Sequence, residues 1–394
     1  MVNRQESVMD AGPLRNSWRP EGCDRVALVL QGGGALGAYQ GGVYEALEAA
    51  NLEPDWVAGV SIGAINGAII AGNPPGRRAE RLREFWRIVT ENPVPPFGCS
   101  PLSLAAPYGG TAAKKVFGAL SYGLTATFGV PKFFRPYFPG PFVAPPGAPG
   151  ATSYYDTAPL RELLLSLIDF NLLNSGAVRY AAGAVRVDTG NFVYFDNMRT
   201  IIRPEHVMAS GALPPGFPMI EIDGVNYWDG GVVSNTPLQH LLYNSDDANM
   251  LVFQVDLFNA RGKVPLDMSE VMSRQKDIQY SSRTRLVTDT YLRLHKQNER
   301  MRRLLERIPD DQLEEADRIE KARLVSLPEI AILLLIYQQA PYEGSGKDAD
   351  FSPSARERHW KAGRSDTDRT LARKEWLQMP KGRGVVVRDI HRSR

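Results

Sequence analysis

Two strand–glycine–helix units follow one another within about fifty residues, and they constrain the fold more than any other feature of this 394-residue chain. Arg25 to Leu30 (RVALVL) is a short apolar run containing β-branched residues, the pattern of a strand covered on both faces. Gly32-Gly33-Gly34 follows, and Leu36, Tyr39, Val43, Leu47 and Ala50 then recur at helical spacing until Pro54. Trp56 to Val60 reads as a second buried strand, and Ser61 joins it to an apolar stretch of helix length, Ile62 to Ala71. Strand, helix, strand, helix in that order predicts an α/β chain with a parallel, helix-covered sheet.

Beyond a charged amphipathic helix from Arg77 to Val89, the composition changes. From Pro93 to Gly150 prolines and glycines crowd among aromatics such as Phe117, Tyr122, Phe128, Phe133, Phe134, Tyr137, Phe138 and Phe142. So long an irregular insert (about 93–152) reads either as a surface loop pinned by its aromatics or as a flap over an apolar substrate. Regular structure resumes with a helix start at Asp156-Thr157. Two hairpins are predicted, one turning at Thr189-Gly190-Asn191 and one at Asp223-Gly224, the second running into Val225 to Trp228. Met250 to Leu257 is another buried strand, and a long charged amphipathic region from about Ser269 to Arg307 reads as helix. The expected organisation is a polar segment over 1–24, one large domain over 25–340, and a basic C-terminal extension over 341–394. From Phe351 to Arg394 there are 12 Lys/Arg against 5 Asp/Glu. That surplus reads as a solvated tail or as a peripheral contact with an anionic membrane.

Several classes are excluded. The formal charge of +2 gives no support for a nucleic-acid partner. Two cysteines, Cys23 and Cys99, cannot build a disulfide framework or a four-sulfur zinc site. No apolar run approaches the ~20 residues needed to span a bilayer, the longest being the strand-sized Ile330 to Tyr337. The first 22 residues carry six charges and no apolar centre, which is not the pattern of a secretory signal. The expectation is a soluble cytoplasmic protein.

Three segments can carry chemistry. Gly59-Val60-Ser61-Ile62-Gly63 follows a strand and opens a helix, the context a nucleophile elbow requires. Gly59 and Gly63 remove side chains where strand and helix would collide, and the helix dipole favours an anion developing at Ser61. Gly32-Gly33-Gly34-Ala35-Leu36-Gly37 has two readings. As G-x-G-x-x-G it is a dinucleotide fingerprint, but Glu53 and Asp55 precede the second strand instead of ending it, where a ribose would need an acid. As an oxyanion hole, Gly32, Gly33 and Gly34 would offer unobstructed backbone N–H groups to a carbonyl oxygen. A serine also needs a base. None of the five histidines, His206, His240, His295, His359 and His391, sits in a setting that would aim it at a pocket. Asp229 does: it follows a strand and precedes Gly230-Gly231. Asp-Gly-Gly is also a common turn, and spacing alone leaves both readings open.

Taken together these segments resemble the patatin-like phospholipase family. The resemblance rests on the glycine-rich loop, G-V-S-I-G at the serine, A-S-G-A-L-P-P-G-F-P (Ala209 to Pro218) and Y-W-D-G-G at the aspartate, in the family's order over about Arg25 to Leu257. Phe351 to Arg364 resembles an extension found on some bacterial members. What this implies is a three-layer α/β/α fold with a largely parallel central sheet, a serine–aspartate dyad of Ser61 and Asp229, oxyanion donors from Gly32 to Gly34, and hydrolysis of a lipid or fatty-acyl ester. No metal or organic cofactor is implied. The chain departs from the family at Leu36, where an Arg or Lys is frequent, which weakens the case for a phospholipid more than the case for ester chemistry. Two rival functions remain at this point: a non-catalytic membrane- or lipid-granule-associated protein, and a Rossmann-type nucleotide-binding protein.

Overall fold

The computed structural model of the chain describes residues 18–91, 110–245, 248–282, 284–325, 328–382 and 384–391. Its centre is a mixed, mostly parallel sheet. In chain order the strands are β1 (Arg25–Leu30), β2 (Trp56–Val60), the short β3 (Arg135–Pro136) and β4 (Tyr155–Asp156), β5 (Arg179–Arg186), β6 (Phe192–Asp196), β7 (Ile220–Ile222), β8 (Val225–Asp229), β9 (Met250–Asp256), β10 (Ile330–Ile336) and β11 (Val385–Asp389). β3 and β4 form a separate ribbon, and the large sheet runs β11-β10-β9-β1-β2-β5-β8-β7. From β11 to β5 every pairing is parallel, whereas β6 and β8 meet β5 antiparallel.

Alternation along each strand feeds two cores. Val26, Leu28 and Leu30 of β1 face one layer with α1 (Ala38–Ala49), α2 (Ile62–Ala71) and α3 (Arg78–Thr90). Ala27 and Val29 face the other, with the helix Leu238–Tyr243 and side chains of the helix Thr284–Leu305. Period-two burial on both faces is what a helix–sheet–helix sandwich requires, and it explains why these strands are apolar throughout. The expected α/β/α architecture is the observed one.

Three details differ from the sequence reading. The insert is not irregular throughout: Pro-free, Ala- and Leu-bearing Thr111–Phe128 forms a helix, and the prolines of the insert fall before and after it in the sequence. The expectations for 93–109 lie outside the described residues. The region from about Ser269 to Arg307 is two helices, Met268–Tyr280 and Thr284–Leu305, interrupted where Ser282 turns its hydroxyl to Asp256 (2.6 Å). The basic C-terminal stretch is docked, not dangling. Its helix Pro353–Leu371 packs on α1 so closely that a Cβ on Gly363 would sit 2.0 Å from the Tyr39 carbonyl oxygen, and β11 extends the central sheet. Part of its basic surplus is used in that docking, with Arg364 on Glu45 (2.9 Å) and Arg356 on the Thr90 hydroxyl (3.1 Å).

Candidate active site

The site lies where the parallel strands end. β1 runs out at Leu30 into the glycine loop, β2 at Val60 into Ser61, and β9 toward Leu257 and Phe258. Carboxyl ends of parallel strands are where ligands bind in open α/β sheets.

Ser61 sits at φ +56°, a left-handed conformation that a serine holds only at a cost of about 1–3 kcal/mol. The surroundings enforce it. A Cβ on Gly59 would lie 2.3 Å from the Gly63 carbonyl, and one on Gly63 would lie 2.3 Å from the Leu30 carbonyl oxygen. The two glycines therefore let α2 start against the backbone of β1, with the serine at the apex. Its N–H donates to Ser210, both to the carbonyl oxygen and to Oγ (3.0 Å each), and the Ser210 hydroxyl in turn donates to the Gly183 carbonyl at 2.6 Å. Ser210 belongs to the A-S-G-A-L-P-P-G-F-P stretch, which acquires a mechanical reason: it braces the turn.

Asp229 reaches Ser61 through register. Val60, the last residue of β2, pairs with Gly183 of β5, and Asp229, the last of β8, pairs with Ala184. β6 holds the opposite edge of β5 over Ala181 to Val185, so β8 continues the edge that β2 leaves. Two strand ends separated by more than 160 positions thus abut on neighbouring residues of one strand, which brings Ser61 close enough to the Asp229 carboxylate to favour its charged form. Asp229 is 1% exposed and accepts the Gly231 N–H at 2.6 Å. Burial pushes its carboxyl up to about 7, against the lowering effects of the Ser61 side chain and the Gly231 N–H.

The glycine loop is pinned from behind by side chains that spacing alone did not single out. The buried Gln31 receives the Leu257 and Phe258 N–H groups on Oε1 (2.6 and 2.9 Å) and donates to Thr236 Oγ1 and the Tyr280 carbonyl (2.9 and 3.1 Å). Asn235 donates to the carbonyls of Gly32 and Tyr280, at 3.0 Å each. Asn66, inside the apolar α2, bridges the Gly37 carbonyl and Gln40 and accepts from Trp86 (3.0 Å). A polar side chain inside or directly ending an apolar run is the signal that could have found Asn66 and Gln31, whereas Asn235, within Ser234-Asn235-Thr236, carries no such mark. The Gly32 N–H is given to the Asn235 carbonyl oxygen at 3.3 Å, so one of the three expected donors is already engaged. Among the described residues, Gly33 and Gly34 N–H have no backbone acceptor. Gly34 is itself left-handed (φ +52°), and a Cβ there would come within 2.2 Å of the Asp348 carbonyl oxygen.

Ser61, Asp229 and Gly32 to Gly34 line one cavity of about 360 Å³. Its walls are apolar: Ile65, Phe133, Phe134, Leu213, Phe217 and Phe351 among them. The insert contributes Phe133 and Phe134 from inside the core, while Phe138 and Phe142 point outward, 99% and 89% exposed. No histidine lines the cavity among the described residues. His206 accepts the Arg203 N–H, His240 meets Asp196 (3.2 Å) beneath a stacked Tyr194, and His359 meets Glu343 (3.0 Å). Glu53 and Asp55 lie at the other end of the sheet, Glu53 paired with Arg78 (2.6 Å) and Asp55 accepting the Val26 N–H (2.8 Å), so neither stands where a nucleotide ribose would need it.

A three-layer α/β/α domain with a strained serine beside a buried carboxylate and a glycine loop defines the class to which the chain is compared. The family model described as patatin-like phospholipase matches residues 28–242, more than half of the chain, and the chain belongs to that family. A second model, described as patatin phospholipase, matches residues 278–383 and so straddles the boundary drawn at 340 from composition. Lysophospholipase nte1 of Aspergillus terreus (strain NIH 2624 / FGSC A1156) is 43% identical over 82 residues, which is 18% of this chain and 5% of that protein's length. Among solved structures, VipD from Legionella pneumophila is similar with TM-score 0.34 and 13% identity, over 92% of this chain and 71% of that one. Human GIVD cytosolic phospholipase A2 in complex with methyl gamma-linolenyl fluorophosphonate is similar with TM-score 0.37 and 13% identity, over 95% of this chain and 60% of that one.

Proposed function

We propose that the chain is a serine lipid acyl hydrolase that cleaves a fatty-acyl ester through an acyl-enzyme, with Ser61 as nucleophile and Asp229 as general base. The observation that carries this reading is the placement of Ser61, at a strained strand–helix turn, beside the buried carboxylate of Asp229, both lining one apolar cavity, with burial raising that carboxyl to about 7. A carboxylate that ionised near 4 would be a poor base toward serine, whereas one poised near the working pH combines availability with basicity. Asp229 takes the hydroxyl proton as Ser61 Oγ attacks the ester carbonyl carbon. The N–H groups of Gly33 and Gly34, with the unpaired first N–H groups of α2, hold the oxyanion of the tetrahedral intermediate. Asp229 returns the proton to the departing alcohol. Water, deprotonated by the same carboxylate, then attacks the acyl carbon and releases the fatty acid.

The aromatic and aliphatic walls supply the acyl-chain contacts, and membership of the patatin-like phospholipase family agrees with a lipid ester as substrate. No helix among the described residues is long and apolar enough to cross a membrane, so access to lipid is proposed to be peripheral. The test is labelling with a fluorophosphonate probe and hydrolysis of a p-nitrophenyl acyl ester. Ser61→Ala abolishes both, and Asp229→Asn lowers turnover by roughly 10²–10⁴ with the fold intact. Labelling that persists in Ser61→Ala rejects the nucleophile.

A further inference from the structure

The cavity holds one cation among its described lining residues, and that cation is already neutralised. Lys276, on the helix Met268–Tyr280, directs Nζ to both carboxylate oxygens of Asp348 (2.8 and 2.9 Å) and to the Ser345 carbonyl oxygen (3.0 Å). An ammonium has three donors, and all three directions are taken. Asp348 is held in place by its own backbone, because its carbonyl oxygen packs against Gly34 of the glycine loop. The neighbouring pair repeats the arrangement in the opposite sense: Lys347 Nζ bonds Asp277 (2.5 Å) and Gln339 (2.8 Å) while buried. Lys276-Asp277 and Lys347-Asp348 are therefore cross-paired, clamping the Met268–Tyr280 helix to the segment that follows β10.

Among the described lining residues the other charged group is Asp229, so the fixed charge they place around Ser61 is zero or negative. Position 36 of the glycine loop adds none, since it is a fully buried leucine. A phosphodiester entering beside Ser61 would face the Asp348 carboxylate or would have to displace it from Lys276, and a charge removed from water without a partner is strongly disfavoured. An ester with an uncharged alcohol meets no such opposition.

We infer that the Asp348–Lys276 pair makes this site selective for uncharged acyl esters, such as acylglycerols, over esters that carry a phosphate, and that Asp348 is the residue that sets this preference. The inference rests on the hydrolase reading above, and its test separates the two. Wild-type enzyme is assayed in detergent micelles on 1-palmitoylglycerol and on 1-palmitoyl-lysophosphatidylglycerol, which share the acyl chain and the esterified glycerol and differ by the anionic phosphoglycerol headgroup, with fluorophosphonate labelling of Ser61 run in parallel. The expected kcat/KM ratio favours the glycerol ester by at least about tenfold, the worth of one charge-assisted hydrogen bond. Asp348→Asn, which keeps shape and hydrogen bonding but frees the Lys276 charge, narrows that ratio by about tenfold, and the double variant Asp348→Asn/Lys276→Met restores it. A wild type that labels at Ser61 yet hydrolyses the phosphate ester as fast as the neutral one overturns the selectivity while leaving the hydrolase intact. So does a folded Asp348→Asn with an unchanged ratio. Absence of both labelling and hydrolysis overturns both readings. The wild-type ratio decides alone if Asp348→Asn does not fold.

Discussion

Titrating Asp229 tests two consequences of one buried group. Its carboxyl is raised from 3.8 to about 7 because it is enclosed at the end of β8. As the base, it works only when ionised. At about pH 5.5 a group with that pKa is roughly 3% ionised, so kcat/KM for an uncharged ester falls roughly 30-fold below its plateau, with a midpoint near 7. An exposed aspartate would still be almost fully ionised there and the profile would be flat. The stability consequence has the opposite sense. A carboxyl whose folded pKa lies above its unfolded value binds its proton more tightly when folded. Its contribution is complete below about pH 4 and is lost as pH rises through about 7, an amount on the order of 4 kcal/mol. Urea denaturation of wild type and Asp229→Asn at about pH 4.5 and pH 8.5 measures it. Wild type loses stability over that interval relative to the variant, while the buried Asp256, also raised, to about 6, is common to both and cancels. A rate profile with its midpoint near 4, or a stability difference between the two proteins that does not change with pH, would refute the assignment of a poised base.

Ser61→Ala removes fluorophosphonate labelling, and peptide mapping of the wild type places the adduct on that residue. Single His→Ala variants at 206, 240, 295, 359 and 391 that remain folded keep labelling; loss in any one of them, with Asp229→Asn active, indicates a histidine base instead. Ser210→Ala leaves the Gly183 carbonyl without its donor and loosens the Ser61 turn, costing about 1–3 kcal/mol in denaturant unfolding and lowering kcat more than it raises KM. Gly363→Ala drives a methyl into the Tyr39 carbonyl and separates the C-terminal helix from α1, lowering stability by about 1–3 kcal/mol; a melting temperature equal to wild type contradicts that docking.

Much of the scaffold is legible in the amino-acid order. Period and punctuation located β1, β2, β9 and the two hairpins, because a strand buried on both faces must be apolar throughout and a tight turn must use the residues its dihedrals allow. The elbow was readable for the same reason: glycines at 59 and 63 mark where two backbones touch. The interrupted helix before Leu305 was not, since its break answers to a hydrogen bond with Asp256, far away in the chain. Nor was the docking of the C-terminal stretch, whose charges suggested solvent while its glycine and Trp360 packed against α1.

The amino-acid order by itself determined which groups are available: a serine at a strand end, an acid before two glycines, a run of bare amides. Which of them meet was decided by the sheet, where β8 takes up the edge of β5 one residue beyond β2 and sets Asp229 against Ser61. Proton affinity was decided there as well, for burial is a property of the surroundings and Asp229 has no local sequence reason to ionise near 7. The cancelling of Lys276 by Asp348 belongs to the same kind: each is an ordinary charge along the chain, and only packing between the Met268–Tyr280 helix and the segment after β10 turns them into a neutral pair at the cavity wall.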